Sequence, residues 1–396
     1  MTERISAAAA ASRLGVKRET IYAYVSRGLI TSKRHIDGKS STFDPAEIER
    51  LRRRRNSNRP GRLEVPIASS ITEVTDGSVS YRGQPIEDLI AAGRHYENAA
   101  ELLWTGRSAP TSTWPTTASI SGAVARSIEA LPGHASPTDR IMAGVVAAGA
   151  TDAFSDHRSV DGVTTSGRIL IRAIVDSLPG GSVAAHEAAD DRLAHRLWIR
   201  LTEESDDAWP VLDTALLILA DHGMATSTLA ARLAASTRAA PHAVVLAGLG
   251  ALAGPLHGGA SRMVHDLFSA AERHGADKAL ADVIHRDGKV PGIGHFIHRT
   301  RDPRHDILFD AIAVSDLDPD RMDVVASVVA RTAERIPAAP NIDLALGALT
   351  FISGMDSAAG EVVFAIARTA GWLAHALEEY DETPIRFRPV GRYVGP

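Results

Sequence analysis

The sequence predicts an all-α body preceded by a small basic module that combines helices with a short hairpin. Aromatic residues make up only 5% of the 396 residues and alanine is abundant, which favours closely packed helices over sheets. Amphipathic segments separated by Pro- and Gly-rich breaks recur along the body. Charge is also divided unevenly, because residues 1–62 contain 15 Lys and Arg against 6 Asp and Glu, whereas the remainder contains 28 against 42. We therefore interpret the two parts separately.

The composition excludes several classes of site. The chain has no cysteine, so disulfides, zinc–thiolate centres, iron–sulfur clusters and cysteine nucleophiles are ruled out. Its most apolar stretch, Ala243–Leu256, has 14 residues and is too short to span a bilayer. The N-terminal residues lack the apolar core of a secretory signal. We expect a cytoplasmic protein that does not associate with membranes.

The basic module has the pattern of a winged helix-turn-helix. Residues 5–14 and 17–27 each suit a helix, with a Gly-Val turn between them. Two short extended runs then flank Asp-Gly at 37–38, a strong hairpin signal. A third helix should begin after Asp44 as its N-cap, with Glu47 completing a capping box. Helix, turn, helix, wing and helix follow one another in the order that this class of domain requires.

Residues 1–55 accordingly resemble the small DNA-binding modules of the mercury-resistance-regulator and excisionase type, in which a run such as LGV…TIYAYVSRGLI is typical. The resemblance implies duplex DNA as a partner, and a structural or protein-binding appendage is the alternative. Residues 56–62 are expected to form a linker. The residues that would face the major groove or meet phosphates are Lys17, Arg18, Thr20, Tyr22, Lys33, Arg34 and Lys39.

The body begins with one hairpin and continues as helices. Alternating residues on both sides of Asp76-Gly77 predict a hairpin within residues 69–83. Segments such as PIEDLIAAG, SISGAVARSIEAL, TALLILADHG and ALADVIHRDG then read as amphipathic helices. The sequence contains neither the glycine-rich motifs of nucleotide-binding α/β folds nor the His-Glu-x-x-His motif of metalloproteases. We therefore expect no bound metal.

Chemistry-bearing residues of the body cluster at breaks between helices. The segments concerned are LADHGMATST (219–228), GPLHGGA (254–260), GIGHFIHRTRDPR (292–304), PNIDLALG (340–347), ARTAGW (367–372) and RFRPVGRYVG (386–395). Each has a simple structural interpretation when it is taken alone. His222 could be a core or capping histidine, Asp343 an N-cap, and residues 292–304 a solvated turn. Together, histidines, a carboxylate and several arginines suit acid/base chemistry on a multiply anionic substrate.

The order and spacing of these motifs look like those of the citrate synthase family, from about residue 63 to residue 396. The resemblance implies a fold with a large and a small helical domain, the small one at roughly residues 260–370. It also implies condensation of acetyl-CoA with oxaloacetate to citrate and CoA, with acetyl-CoA as co-substrate and no other cofactor. Two alternatives stay open: 2-methylcitrate synthesis from propionyl-CoA, and a DNA-binding regulator whose synthase-like body senses a metabolite.

Roles for single residues follow from the resemblance, position by position. Asp343 is implied as the general base that removes a methyl proton of acetyl-CoA. His257 is implied as a hydrogen-bond donor to the thioester oxygen, and His295 as the group that protonates the oxaloacetate carbonyl oxygen. Arg299 matches a position that contacts a CoA phosphate. The residues implied in binding oxaloacetate are His222, Arg304, Arg368 and Arg388. The last is expected to enter from a neighbouring subunit, which makes a homodimer the minimal unit.

The sequence departs from the family pattern around these residues. Gly223 follows Asp-His where the family often has Glu, and residues 344–346 are apolar where polar or aromatic residues and a serine are usual. Phe296 and His298 stand where the family often has Arg and Tyr. His298 and Arg301 have no assigned role. These departures bear on the identity of the acyl group and on the rate rather than on the reaction class.

Overall fold

The computed structural model describes residues 4–14, 16–26, 28–34, 41–57, 66–107, 113–180, 191–204, 206–254, 257–389, 393 and 395. The chain divides into two compact units, residues 1–68 and residues 69–396. Each unit has its own hydrophobic core. Within the described residues, no helix is both long enough and apolar enough to cross a membrane.

The first unit combines three helices with a small antiparallel sheet in its described part. Its elements are β1 Ile5–Ser6, α1 Ala7–Leu14, α2 Arg18–Ser26, β2 Ser32–Arg34, β3 Ser41–Phe43 and α3 Pro45–Ser57. Strand β3 lies between β1 and β2 and pairs with both. The two strands that flank the predicted wing are therefore present, whereas its Asp-Gly turn lies outside the described residues. The first predicted helix starts two residues late, because residues 5–6 pair with β3 instead.

The small core of this unit explains its alanine-rich first helix. Ala7, Ala10, Ala11 and Leu14 are buried at helical spacing. Their small side chains allow α1 to approach α2 and α3 closely. The predicted capping box is wrong in its second half: Asp44 caps α3 by accepting from Ala46 N at 2.8 Å. Glu47 turns away from the cap and accepts from the backbone and hydroxyl of Thr31.

The second unit opens with a three-stranded sheet and continues almost entirely as helices. The strands are β4 Thr72–Thr75, β5 Ser78–Tyr81 and β6 Gln84–Pro85. The helices that follow are α4 Ile86–Ala91, α5 Tyr96–Thr105, α6 Ala118–Glu129, α7 Pro137–Thr151, α8 Val160–Ser177, α9 Leu193–Leu201, α10 Trp209–Leu219, α11 Thr226–Ser236, α12 Pro241–Leu252, α13 Ala260–His274, α14 Ala276–Asp287, α15 Pro303–Ala313, α16 Pro319–Ala333, α17 Ile342–Ile352 and α18 Ala359–Tyr380. The predicted hairpin and the predicted helical body are both confirmed.

Helix α18 is the centre of this unit. Almost all of its 22 residues are buried, and most of them are apolar. It packs against α5, α8, α10, α11 and α12. Helices α13, α14, α16 and α17 pack on one another, and α15 packs on α17 and α10. A division of the body into a large part and a small part at roughly residues 260–370 stays a prediction.

Close helix packing around α18 depends on glycine at a few contacts. Gly248 of α12 faces the indole of Trp372 in α18, and a Cβ at this position would lie 2.5–2.9 Å from three ring atoms. Gly250 lies on the same helix but is exposed, and a Cβ there would meet no atom within 4 Å. The two glycines therefore differ in tertiary contact while sharing one helix.

We predict opposite effects for alanine at these two glycines. Gly248→Ala should lower the free energy of unfolding by about 1–3 kcal/mol, because the added methyl group overpacks a rigid ring. Gly250→Ala should raise it by up to about 1 kcal/mol, because alanine favours the helix over glycine. Urea denaturation followed by circular dichroism measures both. Equal shifts in the two variants would contradict this packing of α12 on α18.

Candidate active site

The loop between α14 and α15 lies beside the segment that leads into α17. Asn341 N donates to Gly292 O at 2.9 Å, and Asn341 Nδ2 donates to Gly294 O at 2.7 Å. Both glycines have positive φ, 75° and 83°, and a Cβ on Gly292 would lie 2.9 Å from the backbone of α17. Glycine is the residue that permits this approach. The pairing brings the segment that carries His295 next to the helix that carries Asp343.

Asp343 lies in the first turn of α17 and is not its N-cap. Asn341 takes that position, because its side-chain oxygen accepts from Asp343 N at 2.9 Å. The simple capping interpretation of Asp343 is therefore wrong, and its carboxylate is available for other contacts. Burial raises its pKa to about 6, with Asp302 also raising it while Arg304 and Arg368 lower it. A carboxylate of this kind is still ionised at neutral pH but is more basic than an exposed one.

His295 presents a defined hydrogen-bond donor. Its Nδ1 lies 3.2 Å from Ile297 N and 3.1 Å from His298 N, and both backbone groups donate to it. Nδ1 must therefore carry a lone pair, and the proton of the neutral ring is on Nε2. Burial, and then the charge of Arg304, lowers the pKa of His295 to about 4. The ring is thus a neutral Nε2–H donor.

His257 follows the break after α12 and contacts two helices. Its Nε2 lies 2.8 Å from Ser227 Oγ of α11, and its ring and that of Phe364 in α18 form a T-shaped pair. Burial, and then the charge of Arg368, lowers its pKa to about 4. A second neutral imidazole is therefore held in place by a serine that is fully buried.

Arg304 is held by its own helix cap. Asp302 caps α15 and also binds the guanidinium in two places, with Nε–Oδ1 at 3.0 Å and Nη2–Oδ2 at 2.8 Å. Asp302 Oδ2 further accepts from Ile342 N at 3.1 Å. Although burial alone would raise the pKa of Asp302, Arg304 holds it below the usual range. The paired arginine is rigid and keeps one face of its fork for another anion.

Arg368 is a buried cation with an unused donor. Its Nε donates to Leu219 O at 2.9 Å, and its guanidinium lies 4.6 Å from the centroid of the Phe364 ring. Among the described residues, its Nη2 has no hydrogen-bond partner. Burial lowers its pKa to about 10, although Asp221 opposes this shift. A carboxylate of a ligand would supply the missing acceptor.

His222 lies within a group of three imidazoles. Its Nε2 is 3.0 Å from the Nε2 of His298, and its ring centroid is 5.4 Å from that of His295. His295 and His298 stack at 5.0 Å. Burial, followed by the charges of Arg304 and Arg368, lowers the pKa of His222 well below its usual value. This imidazole is therefore neutral as well.

A buried polar network lies behind His222. The Asp221 carboxylate faces His375 Nε2 at 3.3 Å, and Arg232 Nη1 donates to His375 Nδ1 at 3.0 Å. Arg232 Nε also donates to Glu379 at 3.0 Å. These four side chains have no exposed surface. Because Arg232 donates to Nδ1, the proton of His375 is on Nε2 and is donated to Asp221. This contact holds in place the residue that precedes His222.

The hairpin at the start of the unit supports the histidine loop from outside. Asp76 Oδ1 accepts from Arg299 N at 2.9 Å and from the backbone and hydroxyl of Thr300, both at 3.1 Å. Gly77 N donates to His298 Nδ1 at 3.4 Å. These contacts lower the pKa of Asp76, mainly through the Thr300 amide. The Asp-Gly turn predicted from the sequence therefore also holds the loop that carries the histidines.

Two predicted arginines lie outside this cluster. Arg299 is exposed on the same loop, with its backbone held by the hairpin. Arg388 is exposed on the C-terminal segment, which Arg386 ties to Glu379 of α18 through contacts of 2.6 and 2.7 Å. Contact of Arg299 with a CoA phosphate and entry of Arg388 into a partner's site stay predictions.

The predicted DNA-contacting residues lie on the exposed side of the first unit as far as they are described. Lys17, Arg18 and Tyr22 are exposed at or near the start of α2, and Thr20 is half-buried. Lys33 is exposed on β2. The side chain of Arg34 and the whole of Lys39 lie outside the described residues.

The fold is helical, and the cluster combines a carboxylate, neutral imidazoles and guanidiniums, which are groups that suit acid/base chemistry on an anion. Residues 64–390 match the model of the citrate synthase C-terminal domain, and residues 5–56 match that of the MerR HTH family of regulatory proteins. The chain therefore belongs to the citrate synthase family, whose members are acyltransferases, and its N-terminal residues are similar to a helix-turn-helix family.

Named relatives divide between two members of the family. The chain is 30% identical to a citrate synthase of Synechocystis sp., over 85% of this chain and 90% of that protein. It is 26% identical to a 2-methylcitrate synthase of Mycobacterium tuberculosis, over 84% and 88%. The fold matches that of the Thermoplasma acidophilum citrate synthase, solved as a ternary complex with carboxymethyl coenzyme A and oxaloacetate, at a TM-score of 0.66. That match has 24% identity and covers 83% of this chain and 94% of the other.

Several residues that build the site carry no clear signal in the sequence. Ser227 and His375 contact site residues that are 30 and 154 positions away. Asp302 carries a single signal in the sequence, the Asp-Pro pair that marks a helix start. His298 was left without a role and lies in the centre of the cluster. Arg301, also unassigned, pairs with Asp306 at 2.6 Å on the surface.

Proposed function

We propose that the chain condenses an acyl-CoA with oxaloacetate and hydrolyses the resulting thioester, releasing CoA. The observation that carries this proposal is a carboxylate of raised pKa, Asp343, close to the charges of Arg304 and Arg368, which also keep nearby imidazoles neutral. Acetyl-CoA, giving citrate, is the first candidate substrate. Propionyl-CoA, giving 2-methylcitrate, is the second, because relatives of both names are similar to this chain.

Removal of a methyl proton is the first difficult step. A thioester methyl group is far less acidic than a carboxylic acid, so Asp343 needs help from groups that stabilise the charge formed on the thioester oxygen. His257 is proposed to donate a hydrogen bond to that oxygen. Its low pKa supports this role, because a neutral imidazole donates without giving up its proton to solvent. The enol or enolate that forms is the nucleophile.

Formation of the carbon–carbon bond is the second step. The nucleophilic carbon attacks the carbonyl carbon of oxaloacetate, and the electron pair of the C=O bond moves to its oxygen. His295 is proposed to donate its Nε2 proton to this oxygen, and the proton that Asp343 removed from the methyl group balances this loss when it returns to the ring through solvent. The two backbone donors on Nδ1 support the assignment, because they hold the proton on the other nitrogen. Water then hydrolyses the thioester, and CoA leaves as the thiol.

The anionic groups of the substrates need cationic partners. Arg304 and Arg368, together with His222, are proposed to hold the carboxylates of oxaloacetate, and the unpaired Nη2 of Arg368 supports this. Arg388 of a second subunit is proposed to complete the set in a homodimer. Arg299, exposed beside the loop, is proposed to meet a CoA phosphate. Closure of the small domain, residues 260–370, on the large one would exclude water.

We predict that Asp343→Asn abolishes thiol release, with a loss of at least about a hundredfold in kcat, because a neutral amide cannot act as the base. Release of CoA is followed with a thiol reagent in the presence of oxaloacetate and either acetyl-CoA or propionyl-CoA. Asp282→Asn, on the exposed side of α14, is the matched control and should retain wild-type rates. Wild-type protein that turns over neither acyl-CoA would refute the proposed function. Full activity of Asp343→Asn would refute the assigned base.

We predict that activity falls in acid with an apparent pKa near 6. Asp343 acts as a base only when it is ionised, and burial raises its pKa to about 6. The value of kcat/KM for the acyl-CoA should therefore decrease about tenfold per pH unit below that point. His257 and His295 have pKa values of about 4, so they stay neutral in this pH range and do not contribute to the decrease in activity. A profile that is flat down to pH 5 would rule out this assignment of the base.

A second candidate function is DNA binding by the first unit. Its match to a helix-turn-helix family favours this, as does the excess of 15 Lys and Arg over 6 Asp and Glu in residues 1–62. Lys17, Arg18, Thr20 and Tyr22 at the second helix are proposed to face the major groove, with Lys33, Arg34 and Lys39 at phosphates. The chain would then join a DNA-binding regulatory unit to a body that either catalyses the condensation or senses a metabolite.

We predict salt-dependent binding of duplex DNA that requires this unit. Arg18→Ala should weaken binding and reduce the slope of log affinity against log salt by about one, because one cation–phosphate contact is lost. Arg13→Ala, at the end of α1, removes the same charge and should change the slope less. Fluorescence anisotropy with labelled DNA at several salt concentrations measures both. Binding that persists after deletion of residues 1–61, or none at low salt, would reject this function.

A further inference from the structure

His298 occupies the centre of the cluster although the sequence assigns it no role. Its exposed fraction is 1%, and its ring stacks on His295 with centroids 5.0 Å apart. Its Nε2 lies 3.0 Å from the Nε2 of His222. Its Nδ1 accepts from the backbone N–H of Gly77 at 3.4 Å. Both ring nitrogens are therefore in use, one on the hairpin side and one on the side of a proposed substrate-binding residue.

A hydrogen bond between two imidazole nitrogens requires one with a proton and one without. Since His298 Nδ1 accepts from Gly77, the proton of a neutral ring is on Nε2. The carboxylate of Asp302 lies 3.8 Å from that nitrogen, which also favours a proton there. His298 is thus the donor and His222 Nε2 the acceptor. The proton of His222 must then be on its Nδ1, and no described protein group forms a hydrogen bond with that nitrogen.

We propose that His298 is a positioning residue that fixes the tautomer and orientation of His222, so that His222 offers its Nδ1–H to a carboxylate of oxaloacetate. This inference rests on the proposed function. The direction of the bond matters because a neutral imidazole with its lone pair toward a carboxylate would repel it. A fixed N–H toward the same carboxylate instead adds one donor to those of Arg304 and Arg368.

The surroundings keep both rings neutral, which the arrangement requires. Burial lowers the pKa of His298, Asp302 opposes this shift, and Arg304 lowers the pKa further. Asp76 and the Thr75 backbone, both on the hairpin side, raise it by less. Burial, followed by the charges of Arg304 and Arg368, also lowers the pKa of His222 well below its usual value. A proton on His222 Nε2 would put two N–H groups face to face 3.0 Å apart.

Three substitutions separate positioning from simple packing. The side-chain amide of His298→Gln reaches the place of Nε2 and can donate to His222. The shorter amide of His298→Asn reaches only the place of Nδ1 and can keep the contact with Gly77. His298→Phe fills the space and supplies no hydrogen bond. His242→Gln, a buried histidine on α12, is the control for the loss of a buried imidazole outside the site.

Steady-state kinetics of thiol release should separate the variant that can donate a hydrogen bond to His222 from the two that cannot. We expect His298→Asn and His298→Phe to raise KM for oxaloacetate about tenfold, the scale of one lost hydrogen bond, with a smaller change in kcat and none in KM for the acyl-CoA. His298→Gln should stay within about threefold of wild type, and His242→Gln should match wild type. Equal KM values for the Gln and Asn variants would overturn the proposal, and so would a loss confined to kcat.

The tautomer itself is read by NMR of ¹⁵N-labelled histidine rings, with His222→Gln used for assignment. The ring signals of His222 should show a protonated Nδ1 and an unprotonated Nε2 in the wild type, and a mixture of tautomers in His298→Phe. A proton on Nε2 of His222 in the wild type would overturn the proposal whether or not the enzyme is active. Wild type without turnover would refute the proposed function instead, so the two failures are distinguishable.

Discussion

The site depends above all on one buried carboxylate, that of Asp302. Its two oxygens cap α15, bind both nitrogens on one edge of the Arg304 guanidinium, and accept from Ile342 N at the start of α17. Because the carboxylate is 1% exposed, these donors replace water completely. The Arg304 guanidinium and the helix that carries Asp343 are therefore both held by the same two oxygen atoms. A shift of either element would leave a buried charge with unsatisfied acceptors.

The electrostatics of the cluster turn histidines into neutral donors. Two guanidiniums lie in a buried region that contains His222, His257 and His295, and burial together with these cations disfavours an additional positive charge on any ring. An imidazole in this state keeps an N–H for a developing oxyanion and does not compete with the arginines for anions. Burial meanwhile makes Asp343 a stronger base. The same low-polarity environment thus moves base and donors in the directions that proton abstraction next to a carbonyl needs.

Sequence patterns predicted the elements and the motifs better than the contacts between them. Helical periodicity and the Asp76-Gly77 turn were sufficient for the body, and the motif around His295 indicated the site. The partners of the motif residues were not predictable, because His375 reaches Asp221 across 154 positions and periodicity reports a buried face without naming its neighbour. The alternative interpretation of Asp343 as an N-cap could not be decided from the sequence either, and the structure gives the cap of α17 to Asn341. Two capping residues two positions apart can both satisfy the pattern, and the structure decides between them.

His298 departs from the family pattern in the number of polar atoms that its ring carries. A phenol, which the family often has there, carries a single polar atom, whereas an imidazole carries two on opposite edges of its ring. In this chain the hairpin amide of Gly77 takes one nitrogen and His222 takes the other. The ring therefore connects the hairpin to His222, which is proposed to meet the ligand. The direction of that connection follows from the donor on the hairpin side, so the N-terminal hairpin of the body helps to determine which nitrogen of His222 a substrate would meet.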